Sequence, residues 1–277
     1  MNKQAIQKPK FSVAIQTDVY KRLIQNTLGD PKRAARFVSA VSSAVATNPD
    51  LQACDTGTIL SSAFVGEGLN LSPSPQLGQY YLVPFNDNKN KRKVATFQIG
   101  YKGYIQLAIR SGQYKRLNVL EIKEGELISY DPLNEEIEID LIQDGAEREK
   151  AETVGYYAMF EYLNGFRKIL YWSKDKMEAH ALRYSAGYKA KKGYTFWEKD
   201  FDAMAKKTML RQLISKWGVM SAEMQTALER DMTFAADDNT VEYISELEDE
   251  ELSLERADAE RPGGNEGCCD EVSLDEI

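Results

Sequence analysis

Residues 78–112 constrain the fold of this chain most strongly, because the patterns of two strands and a helix follow one another there. Residues 80–85 and 92–99 alternate in side-chain character with a period of two, which is typical of β-strands. Every residue between them, 86–91, is polar, as expected of a turn. Residues 101–110 then place large apolar side chains at helical spacing, and a glycine follows. The sequence therefore predicts a β-hairpin that leads directly into a helix.

The same stretch is basic and rich in tyrosine. Residues 86–120 hold eight lysines and arginines against one acid, a net charge of +7. The tyrosines in or beside this run are Tyr80, Tyr81, Tyr101, Tyr104 and Tyr114. Cations pair with phosphates and flat rings stack on bases, so the combination indicates sequence-tolerant binding of single-stranded nucleic acid. A solvated basic surface with half-buried strand tyrosines is the alternative, and composition alone does not decide between them.

Composition predicts a protein with a sizeable core and no membrane span. The chain has 277 residues, of which 43% are hydrophobic and 28% charged, which suffices for one or two domains. No apolar run approaches the roughly 20 residues that cross a bilayer, and the first residues lack a secretory signal. Cys54 stands alone and Cys268 and Cys269 are adjacent, which gives neither a disulfide framework nor the spacing of a metal site. We therefore expect the protein to act in the reducing cytoplasm.

Charge divides the chain into two unlike parts. Residues 231–277 contain 17 acids and two basic residues, a net of −15, although the whole chain has a net charge of only −8. Residues 1–230 therefore have a net charge of +7. The acidic part has few large apolar groups and cannot offset its ordering entropy. We predict a DNA-binding, oligomerising core over residues 1–230 and an acidic, largely disordered tail over residues 231–277.

Capping signals and periodicity place further elements around the hairpin. Asp30–Pro31 and Asp55–Thr56 are favoured helix starts. Helices are predicted over residues 18–28, 31–47, 56–68, 174–184, 196–217 and 221–228, with a loop at 186–194. Strands are predicted over residues 117–122, 137–142, 153–162 and 166–172. The predicted fold class is α+β: N-terminal helices, a basic β-hairpin, a small and mostly antiparallel sheet with packed helices, and a disordered acidic tail.

Local charge indicates which of these elements can meet DNA. Residues 121–152 hold 12 acids and three basic residues, so they should face away from DNA or toward the basic surface of a neighbouring subunit. Residues 167–216 hold 13 basic residues and five acids. Lys102 lies in a first helical turn, which suits a phosphate, and Lys207 and Arg211 are four apart and share a face. The predicted DNA-binding residues are Lys89, Lys91, Arg92, Lys93, Tyr101, Lys102, Tyr104, Arg110, Lys115, Lys189, Lys191, Lys192, Lys206, Lys207 and Arg211.

Sequence motifs of catalysis and cofactor binding are absent. The chain has no G-x-x-x-x-G-K-S/T phosphate loop, no H-E-x-x-H, no Cys/His cluster and no G-x-S-x-G. Its single histidine, His180, lies on a predicted helix, where a structural role is commoner than a catalytic one. We therefore expect a protein that is not an enzyme and needs no nucleotide or metal cofactor, with Mg²⁺ at most modulating DNA binding.

Three segments, residues 78–85, 98–112 and 196–217, closely resemble the RecT family of phage and prophage single-strand annealing proteins. The resemblance spans residues 15–230, and long pieces in the same order are more specific than a short motif. It implies a compact α+β core like that of the wider Red-beta group, and ATP-independent annealing of complementary DNA strands in recombination. It also implies binding of single-stranded DNA and the annealed duplex intermediate, a homo-oligomeric ring or helical filament, a partner exonuclease, a bacterial host cytoplasm and no membrane.

Two other functions stay open at this point. One is a single-strand protector that does not anneal, and the other is a structural oligomer whose basic and acidic patches pair between subunits. The hairpin tip at 89–93 is predicted to reach over the DNA or to the next subunit, because it is long, polar and basic. The tail is predicted to compete with DNA for the core and to dock a partner through residues 241–247. An inert solubility tail is the alternative.

Overall fold

Capping side chains begin the N-terminal helices where the sequence predicts. The computed structural model describes residues 9–87, 90–193, 195–219, 221–231, 233–235 and 241–243. The first helices are α1 (Phe11–Ala14), α2 (Asp18–Leu28), α3 (Pro31–Ala46), α4 (Pro49–Gln52) and α5 (Thr56–Gly68). Asp30 and Asp55 accept hydrogen bonds from the backbone N–H groups of Lys32 and Gly57, which satisfies donors at the helix starts. The helices α1 and α4 have four residues each, too few for a periodic signal.

The predicted hairpin is confirmed, but with a shorter turn. β1 (Tyr80–Asp87) and β2 (Arg92–Ile99) pair antiparallel, and α6 (Tyr101–Ser111) follows directly. The prediction of a turn over 86–91 is wrong at its start, because β1 continues to Asp87, which pairs with Arg92. The buried Asp87 carboxylate accepts hydrogen bonds from the Asn90 N–H at 3.0 Å and from Arg92 Nε at 3.1 Å. These bonds fix both ends of the turn.

Two more antiparallel sheets lie within the described residues. β3 (Tyr114–Lys123), β6 (Thr153–Tyr162) and β7 (Arg167–Ser173) form one sheet in the order β3-β6-β7. β4 (Leu127–Asp131) pairs with β5 (Glu136–Ile139), and α7 (Gly145–Lys150) follows them in the chain. The prediction of a strand over 137–142 is wrong beyond Ile139. There the N–H groups of Asp140 and Ile142 donate to the carbonyl and the carboxylate of Glu126 instead of to a neighbouring strand.

The final third is helical, and its longest predicted helix is interrupted. The elements are α8 (Lys174–Tyr184), α9 (Ala186–Lys189), α10 (Phe196–Lys199), α11 (Phe201–Trp217) and α12 (Ala222–Arg230). The prediction of one helix over 196–217 is wrong at Asp200, where φ is −151°. The Asp200 side chain accepts a hydrogen bond from the Ala203 N–H at 3.0 Å, so it ends α10 and caps α11. The predicted loop at 186–194 begins with the short helix α9.

Helix α11 lies between two hydrophobic cores. The N-terminal helices, the hairpin and α6 surround the first core, in which Leu210 and Ile214 of α11 are buried. β6, α8 and α11 contribute to the second core, which contains Met209 and Leu213. The two pairs lie about 100° apart around the helix, so neighbouring faces of α11 pack on the two cores.

The packed structure continues beyond residue 230. Asp231 is 2% exposed, and β8 (Thr233–Ala235) pairs with β2 at Phe97 and with β9 (Val241–Tyr243). The hairpin sheet has the order β1-β2-β8-β9. Asp231, β8 and β9 belong to the predicted tail, of which residues 232, 236–240 and 244–277 lie outside the described residues. The predicted α+β class, with N-terminal helices, a basic hairpin and antiparallel sheets, is confirmed.

Candidate nucleic-acid interface

At the root of the hairpin, two lysines from distant parts of the chain approach one tyrosine ring. Lys102 Nζ lies 6.0 Å, and Lys206 Nζ 5.5 Å, from the centroid of the Tyr101 ring. Lys102 is exposed, while Tyr101 and Lys206 are half-buried. We call these three residues the Tyr101 cluster. It brings together the two basic segments in which the sequence predicts DNA contacts.

The start of α6 holds the Tyr101 cluster at a helix N-terminus. Gly100 is the N-cap and supplies no side-chain cap. A Cβ at Gly100 would lie 2.2 Å from the carbonyl oxygen of Gly78, so the close approach of these two segments requires glycine. The first N–H groups of a helix have no acceptor within it, and with the helix dipole they favour an anion. Lys102 adds a full positive charge beside them.

Lys206 is held in the cluster by an acid. Its Nζ lies 3.0 Å from Glu121 Oε2, and the two side chains are 19% and 24% exposed. Burial by itself would raise the pKa of the Glu121 carboxyl, but the hydrogen bond and charge of Lys206 lower it, so the carboxylate stays ionised at neutral pH. This ion pair places Glu121, the first residue of the acidic segment 121–152, beside Lys206. A bound phosphate would compete with this carboxylate for Lys206.

Two more aromatic rings border the cluster. The pKa of Tyr81 is raised first by burial and then by the nearby Tyr101 and Asp200. Its ring centroid lies 5.9 Å from that of Phe196, a residue that is 36% exposed. Tyr80 faces the opposite side of the strand and is buried in the core. Phe196 is missing from the predicted set, because its contact with Tyr81 arises only when α10 packs on the hairpin.

The hairpin residues predicted to bind DNA lie apart from the cluster. Lys91 is exposed in the turn. Lys93 Nζ lies 3.3 Å from Asp50 Oδ1, and Arg92 Nε lies 3.1 Å from the buried Asp87 carboxylate. Arg92 thus has a structural partner, whereas the exposed pair of Lys93 leaves its charge near solvent. Lys89 lies outside the described residues.

Other predicted residues lie elsewhere on the surface. Arg110 Nη2 donates to the carbonyl oxygen of Leu69 at 2.6 Å, at the end of α5. Lys115 Nζ lies 2.5 Å from Glu161 Oε1 on the neighbouring strand. The end of α9 and the turn after it present a separate group of exposed lysines, Lys189, Lys191 and Lys192. These three are exposed, whereas Arg110 already donates to a backbone carbonyl and Lys115 to a carboxylate.

The remaining predicted residues belong to a buried network. Lys207 Nζ donates to Asp231 Oδ1 at 3.0 Å, and Arg211 Nη1 donates to Asp231 Oδ2 at 2.5 Å. Burial lowers the pKa of Lys207, and the charge of Asp231 opposes that shift. Tyr104 is fully buried beside Arg211. The spacing of four correctly places Lys207 and Arg211 on one face, but that face turns toward Asp231. We therefore leave Lys207 and Tyr104 out of the proposed interface, with Arg211, 39% exposed, at its edge.

The described part of the chain lacks the marks of a metal centre and of a membrane span. Within it, no three histidine, cysteine, aspartate or glutamate side chains are grouped as metal ligands would be. None of its helices combines the length and hydropathy needed to cross a bilayer.

Cations gathered around partly exposed aromatic rings are typical of surfaces that bind single-stranded nucleic acids. The profile of the RecT family matches residues 35–249. The chain is 42% identical over 237 residues to "Uncharacterized protein YqaK" of Bacillus subtilis (strain 168), covering 85% of this chain and 78% of that protein. It is 30% identical over 201 residues to "Protein RecT" of Escherichia coli (strain K12), covering 72% and 71%. The chain belongs to the RecT family of single-strand annealing proteins, as the sequence resemblance predicts.

Proposed function

We propose that this protein binds single-stranded DNA at the Tyr101 cluster and anneals complementary strands during recombination, without ATP. The observation that carries the proposal is that Lys102 and Lys206 meet on one tyrosine ring at the N-terminus of α6. Membership of the RecT family supports it. Annealing forms and breaks no covalent bond, so under this proposal the protein is not an enzyme.

Annealing requires that two phosphate backbones repel each other less while the base edges stay open. Lys102 and Lys206 would neutralise phosphates of one strand and release its counterions. Tyr101, with Tyr81 and Phe196 beside it, offers ring faces on which bases of any sequence can stack. A base that stacks through its face keeps its pairing edge free. The free energy of the reaction then comes from base pairing.

Glu121 would act as an internal substitute for phosphate in the free protein. It keeps Lys206 beside Tyr101, so the lysine needs little reordering when DNA arrives. Ion pairs near the surface contribute only about 1 kcal/mol, which a phosphate contact can replace. The cluster is therefore preformed but not blocked.

The proposal extends to the assembly in which annealing occurs. We propose a homo-oligomer, a ring or helical filament on DNA, in the cytoplasm of a bacterial host cell, with a partner exonuclease that produces the single strands. The hairpin tip and the lysines after α9 would contact the backbone or the next subunit. Mg²⁺ would modulate DNA binding without serving as a cofactor.

The test is an annealing assay with complementary oligonucleotides that bear a fluorophore and a quencher, in the absence of nucleotide. We expect the protein to speed quenching above the rate of DNA alone. A single-strand protector would bind the oligonucleotides and slow quenching. A structural oligomer would neither bind the oligonucleotides nor change the rate of quenching. Either of those results contradicts the proposal.

A further inference from the structure

Strand β7 and helix α8 present a line of rings and cations that the annealing proposal does not use. Lys176 Nζ lies 4.8 Å from the Trp172 ring centroid, and the His180 ring lies 5.4 Å from Trp172. The His180 ring lies 4.5 Å from that of Tyr184, and Arg183 Cζ lies 5.4 Å from the Tyr184 ring. We call these five residues the α8 ladder.

Helix geometry explains why the ladder is continuous. Lys176, His180 and Tyr184 are spaced by four residues, so they share one face of α8. Met177 and Ala181, each one position further along, are fully buried and fix the neighbouring face of α8 on the second core. Trp172 is the second-last residue of β7, and the Ser173 side chain caps α8 by accepting from the Lys176 N–H. The strand and the helix therefore hold the ladder in one orientation.

The ladder is exposed and positively charged. Tyr184 is 61% exposed, and Lys176 and Arg183 are both exposed. Within the described residues, neither of these cations forms an ion pair. Burial, and then the charges of Arg183 and Arg211, lower the pKa of His180, so its ring is neutral at pH 7. A neutral ring between two aromatic rings, with a cation at each end, is an unusual surface for a helix that only needs to be solvated.

We propose that the α8 ladder is a second contact surface for single-stranded DNA, on which a base stacks on Tyr184 and phosphates pair with Lys176 and Arg183. This inference rests on the proposed function. Bases supply ring faces and phosphates supply negative charge along the same strand, which is the chemistry that alternating rings and cations match. Helix α8 packs through Met177 and Ala181 on the second core, to which Met209 and Leu213 of α11 also contribute.

The test compares two labelled oligonucleotides of equal length, oligothymidine and an abasic strand with the same phosphates, by fluorescence anisotropy. Tyr184→Ala should bind oligothymidine at least about fivefold more weakly, the loss of one stacked base. It should bind the abasic strand like the wild type. Tyr184→Phe should retain affinity, and Leu182→Ala, at a 42% exposed position of the same helix, is the matched control. Lys176→Ala and Arg183→Ala should each reduce the log–log salt slope by about 0.7.

Three results would overturn the inference. If Tyr184→Ala binds both strands like the wild type while Lys102→Ala and Lys206→Ala bind more weakly, the ladder is not a DNA surface and the proposed function stands. If only self-association changes in sedimentation, the ladder is a subunit contact. If the wild-type protein binds neither strand, the proposed function fails as well.

Discussion

Replacing Asp231 by asparagine should destabilise the core, because this residue closes a network that the sequence divides between core and tail. The side chain of Asp231 is fully buried. It accepts hydrogen bonds from Lys207 Nζ at 3.0 Å, from Arg211 Nη1 at 2.5 Å and from the Ile99 N–H at 3.1 Å. Asparagine keeps the shape of the side chain but removes the charge that these two cations face.

The expected loss of stability depends on how deeply the two cations that face Asp231 are buried. Removing one member of a buried ion pair costs about 3–5 kcal/mol, because it leaves the other charge uncompensated. Arg211 is 39% exposed and can turn toward water, whereas Lys207 is only 7% exposed. We therefore expect the low end, about 3 kcal/mol, which corresponds to a fall in Tm of roughly 6–12 °C for a domain of this size.

The pH dependence of the variant gives a second signature. Burial already lowers the pKa of Lys207 below its ordinary value of 10.5, and loss of Asp231 should lower it further. Between the lowered folded pKa and 10.5, the unfolded chain binds more protons at this lysine than the folded chain does. Stability therefore rises with pH in this window, and the deficit of Asp231→Asn should shrink as the pH approaches 10.5.

Urea unfolding of the full chain, followed by circular dichroism, measures this loss. Glu149→Gln, at an exposed position of α7, is the matched control and should stay within about 0.5 kcal/mol of the wild type. The double variant Asp231→Asn/Lys207→Met should be more stable than Asp231→Asn, because it removes the buried cation. Wild-type stability in Asp231→Asn would refute the assignment of this network to the core.

Three further predictions follow from other parts of the structure. Ending the chain after Tyr243 should preserve stability in urea and tighten single-strand binding at low salt, with the gain vanishing at high salt. Ending it at residue 230 should lower the stability. If the chain that ends at Tyr243 and the full-length chain bind with equal affinity across the salt series, the tail is inert. Replacing residues 88–91 with Asn-Gly should leave the hairpin folded and weaken assembly on DNA; normal filaments in electron microscopy would rule out a role for the tip. Burial by itself would raise the pKa of Glu126, but hydrogen bonds from Arg148 and two backbone N–H groups lower it below 4.5. The contribution of Glu126 to stability is thus present above pH 4.5 and lost as the pH falls through the folded pKa. Glu126→Gln should therefore lose less stability than the wild type when the pH is lowered in unfolding titrations. An equal loss of stability in the two proteins would contradict this assignment.

Local signals explain which elements the sequence predicts well. Asp30 and Asp55 each accept a hydrogen bond from an N–H group two residues further along the chain. The alternating pattern of β1 and β2 likewise involves only residues of the hairpin itself. The break at Asp200 is also local, but an aspartate inside an apolar helical pattern is outweighed by that pattern. Periodicity therefore finds an element more reliably than it finds its interruptions.

The candidate site is predicted only in part, because its geometry depends on tertiary packing. A first-turn lysine identifies Lys102, but the approach of Lys206 to the same ring requires α11 to pack between two cores. The spacing of Lys207 and Arg211 gives their common face but not its direction, which Asp231 determines from beyond α12. The α8 ladder has no sequence signal, since each member fits an ordinary amphipathic helix or strand.

The salt dependence of single-strand binding tests the Tyr101 cluster most directly. We would measure the affinity for oligothymidine over a salt series for the wild type, Lys102→Ala, Lys206→Ala and the control Lys150→Ala, an exposed lysine of the acidic segment. Each cluster variant should reduce the log–log slope by about 0.7, and the control should leave it unchanged. Wild-type slopes in both cluster variants would contradict the account and place the DNA on another surface.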